Sequence, residues 1–218
     1  RRIELEADVI SPEEAIGRGL SAEDGPVVLV ETADCAGGGA AGDSVASLRA
    51  LLAQEGVRDA LVPVVDPEAA RRCHEAGLGA EITLSLGHRM DPRWGTPLEM
   101  SGTVLHVSDG AFRYKGGIWD DVAGDMGASA VLQSGGVRVL ITSHATYDWA
   151  DEQWQAVGID PRLAQFVVAK NPMNFNNLYD DCAAQTHILD TPGPTPASVR
   201  NLPFRHMTRP FFPLDSDI

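Results

Sequence analysis

A short apolar strand followed by a glycine-rich loop places the strongest constraint on how this chain can fold. Residues 27–30 read Val-Val-Leu-Val, and a continuous β-branched run of this length is typical of a strand buried in a parallel sheet. The loop over 34–44 contains four glycines, and the leucines after it predict a helix over 45–54. A strand over 59–65 and a helix capped by Asp66 complete a βαβ unit, for which we expect a right-handed crossover.

The middle of the chain has a different pattern. Short β-prone segments separated by glycine turns predict antiparallel strands over 81–142, with hairpin turns at 108–110 and 134–136. The alternation of helix and strand then returns, and we predict helices over 148–157 and 175–184 and strands over 166–169 and 186–189. The predicted fold class is therefore α/β: a mixed sheet with flanking helices, with parallel βαβ units at both ends and an antiparallel β section in the middle.

Three parts of the chain differ in character. Residues 1–24 form a leading segment with one helix, for which Ser11 is the predicted N-cap and Pro12 the first helical residue. Residues 25–191 hold the predicted α/β domain. Residues 192–218 contain six prolines and predict an extended tail on the surface. The chain begins with Arg1 and no apolar signal region follows, so a trimmed terminus and a fragment of a larger protein are both open.

Composition excludes several classes of protein. The 17 basic and 31 acidic residues give a net charge of −14, which repels phosphate backbones and excludes nonspecific nucleic-acid binding. No stretch reaches the roughly 18 apolar residues of a membrane span. The three cysteines are odd in number and contain no Cys-x-x-Cys pair, so they predict neither a disulfide framework nor a structural zinc site. A reducing, cytoplasmic location fits this pattern.

The glycine loop is the strongest chemical signal. A glycine triplet between a buried strand and a helix exposes backbone N–H groups that bind phosphate, carboxylate or a developing oxyanion. Neither nucleotide-binding fingerprint is present, and the alternative is a tight loop that needs positive φ at several positions. Substrate-binding candidates in this loop are Asp34, Gly37, Gly38, Gly39, Gly42 and Asp43.

A second candidate segment follows the strand over 166–169. Lys170 and Asn171 come at its carboxyl end, and in an open α/β sheet that edge faces the ligand crevice. If this strand and the one over 27–30 are parallel members of one sheet, Lys170 and the glycine loop open on the same edge. An exposed lysine with no role is the alternative. Cys35 is predicted to be a passive small residue, and the alternative is a thiol whose pKa is lowered by the nearby helix N-terminus. The six histidines are scattered without His-x-x-x-His spacing, so no metal ligands are assigned in this chain.

These segments together resemble one protein family. The run from Val27 to Ser44, through the glycine loop, is similar to the C-terminal domain of the microcystinase C (MlrC) family of metallopeptidases. Other segments agree with that family in the same order along the chain, namely 66–69, 77–80, 102–104, 108–110, 136–137, 157–161, 168–170, 190–194 and 209–215.

The resemblance implies a function that the residues alone do not. Members of the family are zinc-dependent hydrolases that cleave peptides, with linearised microcystin as the type substrate, and their metal ligands lie in a preceding N-terminal domain. The implied partners are thus that missing metal-binding domain and a small peptide or amide substrate, with residues 1–24 as the linker. No cofactor is expected in this chain, zinc is expected in the full-length parent, and the isolated chain is predicted to be inactive. Lys170 becomes the catalytic candidate, with Asn171 and Asn174 as substrate-binding candidates.

Two positions depart from the family pattern and keep the substrate open. Cys35 stands where the family usually has asparagine, and Asn174 stands where it has histidine. The alternative function is a non-catalytic α/β binding or oligomerisation module that recognises a small anion through the glycine loop.

Overall fold

The computed structural model describes residues 6–148, 150–200 and 202–215, and its main element is a nine-stranded mixed sheet. The order of strands across the sheet is β1-β11-β2-β10-β3-β9-β8-β5-β4. The strands are β1 (Val9–Ile10), β2 (Val27–Val30), β3 (Ala60–Val65), β4 (Glu81–Leu86), β5 (Leu98–Ser108), β6 (Ala111–Arg113), β7 (Ala123–Asp125), β8 (Ser129–Ser134), β9 (Val137–Thr142), β10 (Phe166–Ala169) and β11 (Gln185–Leu189). The helices are α1 (Pro12–Gly19), α2 (Ala46–Ala53), α3 (Pro67–Ala76), α4 (Glu152–Ala156) and α5 (Phe175–Tyr179).

The sheet has a parallel half and an antiparallel half, which confirms the predicted fold class. The six strands from β1 to β9 in the sheet order are parallel, and they come from both ends of the chain. Strands β8, β5 and β4 extend the sheet beyond β9 as antiparallel neighbours. Because the parallel strands all point the same way, their carboxyl ends form one edge, to which the loops after β2 and β10 both belong.

Helices cover both faces of the parallel half. On one face, buried residues such as Ile16 of α1 and Leu48 of α2 pack with Leu29 and Phe166 of the strands. On the other face, Trp154 of α4 and Tyr179 of α5 pack over Val28 and Val167. Alternate residues of one strand therefore belong to opposite clusters, which explains why β2 and β10 are apolar along their whole length.

The described part of the leading segment is built into this domain. Ser11 accepts a hydrogen bond from the amide of Glu14, which confirms the predicted cap of α1. Ala15 and Ile16 are fully buried, and β1 pairs with β11. The predicted boundary at residue 24 is therefore not a break in packing, and the linker role of residues 1–24 stays a prediction. Residues 1–5 lie outside the described part.

Three local predictions were wrong. The turn at 108–110 does not form a hairpin, because β5 pairs with β4 and β8 while β6 pairs with β7 in a separate two-stranded sheet. The prediction missed β7, which lies in a glycine-rich segment. The helices predicted over 148–157 and 175–184 are shortened to α4 and α5. Trp149, which falls within the first of these predicted helices, is outside the described residues.

The proline-rich segment lacks regular secondary structure, as predicted. The described residues 190–200 and 202–215 contain no helix or strand. The segment nonetheless begins in contact with the glycine loop, since Thr195 Oγ1 donates to the carbonyl of Thr32 at 2.7 Å. Among the described residues no helix is both long and apolar enough to cross a membrane.

Candidate functional site

The glycine loop and Lys170 lie at the same edge of the sheet. Strands β2 and β10 are paired in parallel, with Val30 opposite Ala169, so the residues that follow them start side by side. The side chain of Lys170 bridges the remaining distance to Asp34, with Nζ and Oδ2 2.8 Å apart. The expectation that both segments open on one edge is therefore confirmed.

Lys170 is buried at this edge and connects the segment after β10 to the glycine loop. Its ammonium donates to Oδ2 of Asp34 and to the carbonyl oxygens of Gly42 and Ser44, at 2.8, 3.2 and 2.9 Å. An ammonium has three donors, and all three have acceptors here. Burial opposes the positive charge, but the carboxylates of Asp34 and Glu31 outweigh it, so the pKa of Lys170 is raised. The alternative of an exposed lysine with no role was therefore wrong.

Asp34 holds the glycine loop in its shape. Its Oδ1 accepts from the amide of Gly42 at 2.9 Å, and its Oδ2 accepts from the amide of Ser44 at 2.7 Å as well as from Lys170. Its side chain is buried. Asp34 thus ties the two ends of the loop to the strand edge, and the substrate-binding role assigned to it stays a prediction.

Glu31 is a buried carboxylate that sequence reasoning did not single out. It follows β2 directly, and its two oxygens accept from the hydroxyls of Ser44 and Ser47 at 3.0 and 2.9 Å. Complete burial raises the pKa of Glu31 above its ordinary value, although Lys170 opposes this. The available signal was an acidic residue directly after a fully apolar strand, a position from which its side chain turns back into the protein.

The backbone of the glycine loop satisfies most of its own donors. The amides of Gly38 and Gly39 donate to the carbonyls of Cys35 and Ala36, and the amide of Ala40 also donates to Cys35. With Gly42 bound to Asp34, these four donors are not free to cradle an anion. Gly39 and Gly42 have φ values of 92° and 76°, so the alternative of a tight loop with positive φ describes this segment.

Gly37 lies against an aromatic ring. A Cβ at this position would be 2.4 Å from ring atoms of Tyr147, so only glycine fits without displacing that ring. The hydroxyl of Tyr147 accepts from Nδ2 of Asn174 at 2.8 Å, and its ring lies 5.9 Å from that of Trp119. An aromatic contact thus connects the loop to the segment that follows β6. Tyr147 is a second residue that sequence reasoning missed.

Asp43 and Cys35 are both engaged within the protein, and the substrate-binding role assigned to Asp43 stays a prediction. Oδ2 of the buried Asp43 accepts from the amides of Met90 and Asp91, at 2.7 and 3.0 Å, so this carboxylate fixes the loop after β4. Burial raises the pKa of the Cys35 thiol, although the amides of Gly38 and Gly37 oppose this. The raised pKa fits the favoured interpretation of Cys35 as a passive residue and not the alternative of a lowered pKa.

The two asparagines order the segment after β10. Asn171 Nδ2 donates to the carbonyl of Asp148 at 2.7 Å, and its Oδ1 accepts from the amides of Met173 and Asn174, both at 2.8 Å. Three of the four hydrogen-bonding positions of the Asn171 amide are therefore used within the protein. Asn174 has the bond to Tyr147 described above and borders a cavity.

This first cavity lies at the carboxyl ends of β3, β9 and β10 and has a volume of about 60 Å³. That is room for a few water molecules. The predicted site residues that border it are Asp34, Gly42, Lys170, Asn171 and Asn174. Gly37, Gly38, Gly39 and Asp43 do not border it, so the structure brings together five of the nine predicted residues around one space.

Asp148 is the acidic residue at this cavity that sequence reasoning missed. Its Oδ2 accepts from the amide of Lys170 at 3.2 Å. Burial raises the pKa of Asp148 to about 6, although that amide and the ammonium of Lys170 oppose this. No motif marks the residue, since it lies between a strand and a short helix and meets Lys170 only through the fold.

Replacing Asp148 with asparagine should stabilise the chain at neutral pH. The carboxyl binds more protons in the folded state between about pH 4 and pH 6, so its contribution to stability falls as the pH rises through that window. We expect Asp148→Asn to raise the free energy of unfolding by about 1–2 kcal/mol at pH 7.5, and the gain to vanish near pH 4. Urea unfolding across this range measures both.

Asp181→Asn is the matched control, because hydrogen bonding from Arg162 lowers the pKa of Asp181. That variant should show the opposite pH trend. A gain for Asp148→Asn that is the same at pH 4 and pH 7.5 would contradict a carboxyl that titrates near 6 in the folded protein.

No metal site is found within the described residues. They contain no group of three or more His, Cys, Asp or Glu side chains arranged to hold an ion. His144 has only Asp125 near its Nδ1, at 3.7 Å, and both side chains are exposed. The carboxylates at the strand edge are already engaged by amides, hydroxyls and Lys170. The described residues therefore offer no ligand set for zinc, and the resemblance implies that the zinc ligands lie in a preceding domain.

Comparisons with known proteins agree with the resemblance. The family described as MlrC C-terminus matches residues 29–206. Microcystinase C of Sphingomonas sp is 24% identical over 190 residues, which cover 87% of this chain and 36% of that protein. The crystal structure named "Putative metallopeptidase" from Mesorhizobium sp. BNC1 superposes with a TM-score of 0.82 at 29% identity, and the match covers 96% of this chain and 42% of that one. The chain thus spans less than half the length of these relatives, and it belongs to the MlrC C-terminus family.

Proposed function

We propose that this domain works as part of a longer zinc-dependent metallopeptidase and forms one wall of its substrate cleft. The observation that carries the proposal is the meeting of two separate segments, the glycine loop and residues 170–174, around one cavity at the carboxyl edge of the sheet. That edge is where open α/β sheets bind ligands. Two further observations support the proposal: the chain belongs to the MlrC C-terminus family, and its fold is similar to a structure whose name is metallopeptidase.

In this proposal the zinc is held outside the described residues, in an N-terminal domain. The described residues offer no ligand cluster, so no step of the reaction is assigned to a metal here. The zinc would supply Lewis-acid chemistry to the peptide carbonyl. This domain would supply the opposite wall and would position the substrate. The substrate is proposed as a small peptide or amide, and linearised microcystin is a candidate because one relative is named Microcystinase C.

Lys170 fits a positioning role better than a catalytic one. All three of its ammonium donors are used inside the protein, so it cannot donate to a substrate oxygen without releasing the glycine loop. Its catalytic role stays a prediction. Asn174 borders the cavity, and its side-chain amide donates one hydrogen bond, to the hydroxyl of Tyr147. It is therefore the better candidate for direct contact with the substrate.

The test uses a longer protein that carries this chain as its C-terminal part. We expect that protein to hydrolyse a linear peptide, with products identified by mass spectrometry, to lose activity on chelation and to regain it with zinc. The 218-residue chain alone should be inactive with or without zinc. Activity that resists chelation, or that the isolated chain retains, would overturn the proposal.

A variant at the cavity tests the wall itself. In the longer protein, Asn174→Ala should lower kcat/KM about tenfold, the equivalent of one hydrogen bond of roughly 1.4 kcal/mol. Asn177→Ala is the matched control, because Asn177 also lies in this stretch of the chain but does not border the cavity. Equal effects of the two variants would contradict a substrate contact at residue 174.

A further inference from the structure

A second cavity lies between the loop after β4 and the start of the proline-rich segment. Its volume is about 280 Å³, close to the lower end of the range of roughly 300–1,000 Å³ for small-molecule sites. It shares no lining residue with the first cavity. Its lining comes from the loop after β4 and from the start of the proline-rich segment, with Trp94, Asp190, Thr191, Pro192, Gly193, Pro196, Ser198 and Leu202.

Two polar atoms at this cavity have no hydrogen-bond partner. The described residues contain five buried side-chain nitrogen or oxygen atoms without a partner, and two of them, Thr191 Oγ1 and Trp94 Nε1, belong to residues that line this one cavity. Thr191 is only 5% exposed. An unpartnered buried hydroxyl is unfavourable, so a ligand atom that bonds to it regains the lost hydrogen-bond energy.

Trp94 is the more exposed of the two residues, although its indole nitrogen is itself buried. The indole lies close to the carboxylate of Asp91, whose pKa is lowered mainly by hydrogen bonding from Arg93 and in smaller part by Trp94. That contact falls short of hydrogen-bond geometry, so the indole N–H has no partner among the described residues. Trp94 therefore contributes a donor and a large apolar ring to the lining.

The lining determines which ligand chemistry fits. It contains no cationic side chain, and the carboxylate of Asp190 is exposed beside it, so a phosphate or carboxylate is disfavoured. Pro192, Pro196 and Leu202 supply apolar surface. A neutral acceptor such as an amide carbonyl satisfies two hydrogen-bond donors without charge repulsion, and an apolar side chain attached to it has surface on which to pack.

The wall of this cavity is fixed to the glycine loop. Thr195 Oγ1 donates to the carbonyl of Thr32 at 2.7 Å and accepts from the amide of Cys35 at 3.3 Å. A Cβ at Gly193 would be 2.1 Å from the carbonyl oxygen of Ala33, so this contact is close-packed. Asp34, Ala36 and Gly42 border the first cavity, so the segment that lines the second cavity is bonded to the loop that borders the first.

We propose that the second cavity is a binding subsite for an apolar residue of a peptide, whose backbone carbonyl accepts hydrogen bonds from Thr191 and Trp94. That the peptide is a substrate rests on the proposed function. The binding itself does not, because every group named here is within this chain.

The test is a titration of the ¹⁵N-labelled chain followed by NMR. The chain has four tryptophans, so four indole N–H signals are expected, and Trp94→Phe identifies the one from Trp94. N-acetyl-leucinamide is the neutral probe and N-acetyl-leucine the anionic one. We expect the amide probe to shift the Trp94 signal saturably, and the carboxylate probe to bind at least about tenfold more weakly.

Thr191→Val removes the unpartnered hydroxyl while keeping the shape of the side chain. It should weaken binding of the amide probe about tenfold without loss of folding. Thr186→Val is the matched control, because Thr186 is exposed on β11 and does not line the cavity. The Trp94→Phe variant, which lacks the indole donor, should also bind more weakly, as measured by the backbone amide signal of Thr191.

Several outcomes would overturn the proposal. These are the absence of a saturable shift at Trp94, equal binding by Thr191→Val and the unaltered chain, tighter binding of the carboxylate probe, or a shift confined to Trp154 in the first cavity. Binding by the chain together with a longer protein that is inactive on peptides would refute the proposed function and leave the subsite standing. An active longer protein with no binding at Trp94 would refute the subsite and leave the proposed function standing.

Discussion

Replacing Lys170 with methionine is expected to lower the free energy of unfolding of this chain by about 3–5 kcal/mol. The variant leaves Asp34 as a buried carboxylate without its cation, next to a second buried carboxylate at Glu31. It also removes the donor to the carbonyls of Gly42 and Ser44. Urea unfolding at pH 7 measures the loss. A lysine exposed at the sheet edge would contribute little to folding, whereas the burial of Lys170 predicts this large loss.

Lys115→Met provides a matched control. The chain has only two lysines, and Lys115 is exposed on the segment after β6. Its substitution should change stability by about 0.5 kcal/mol or less. Combining Lys170→Met with Asp34→Asn should restore part of the loss, since the orphaned charge is then removed as well. Equal effects of the two lysine variants, or no recovery in the double variant, would contradict a buried ion pair.

Gly193→Ala is expected to have the second largest effect, a loss of about 1–3 kcal/mol. The added Cβ would meet the carbonyl oxygen of Ala33 at 2.1 Å, and a backbone atom cannot move aside as a flexible side chain can. The proline-rich segment should then separate from the glycine loop. Thermal unfolding measures the loss, and the NMR signal of the Trp94 indole should shift because the second cavity changes shape.

Gly17→Ala is the opposite control. Gly17 lies in α1, and a Cβ there would meet nothing within 4 Å. Because alanine favours a helix over glycine by about 0.8–1.0 kcal/mol, this variant should stabilise the chain slightly. Destabilisation by both variants to the same degree would mean that glycine is needed for a reason other than the contact with Ala33.

Local patterns predicted most of the fold. The cap at Ser11, the apolar runs of β2 and β10 and the two-residue turn between β8 and β9 are decided within a few residues, and the structure has each where it was expected. The hairpin predicted at 108–110 was wrong, because a glycine turn specifies a change of chain direction and does not specify which strands pair. Strand β5 pairs instead with strands on either side of it in the sheet, which no local pattern specifies.

The position of the candidate site was predicted correctly, but the contacts of its side chains were not. Two segments 136 residues apart, Asp34 and Lys170, were assigned to one edge because parallel strands share their carboxyl ends. The role of each side chain depends on its partners. Asp148 and Tyr147 were missed because only the fold brings them to Lys170 and Asn174.

The sequence by itself determined the α/β class, the order of the elements, the edge where the candidate site lies and, through its motifs, the family. These follow from apolar periodicity, glycine and proline positions and capping residues, all of which act over short stretches of chain. Only the tertiary structure decided that Lys170 is buried and engaged, that the loop amides are mostly satisfied internally, and that Thr191 is buried without a partner. Burial and hydrogen bonding depend on which residues meet across the fold, and that is set by the packing of the whole chain.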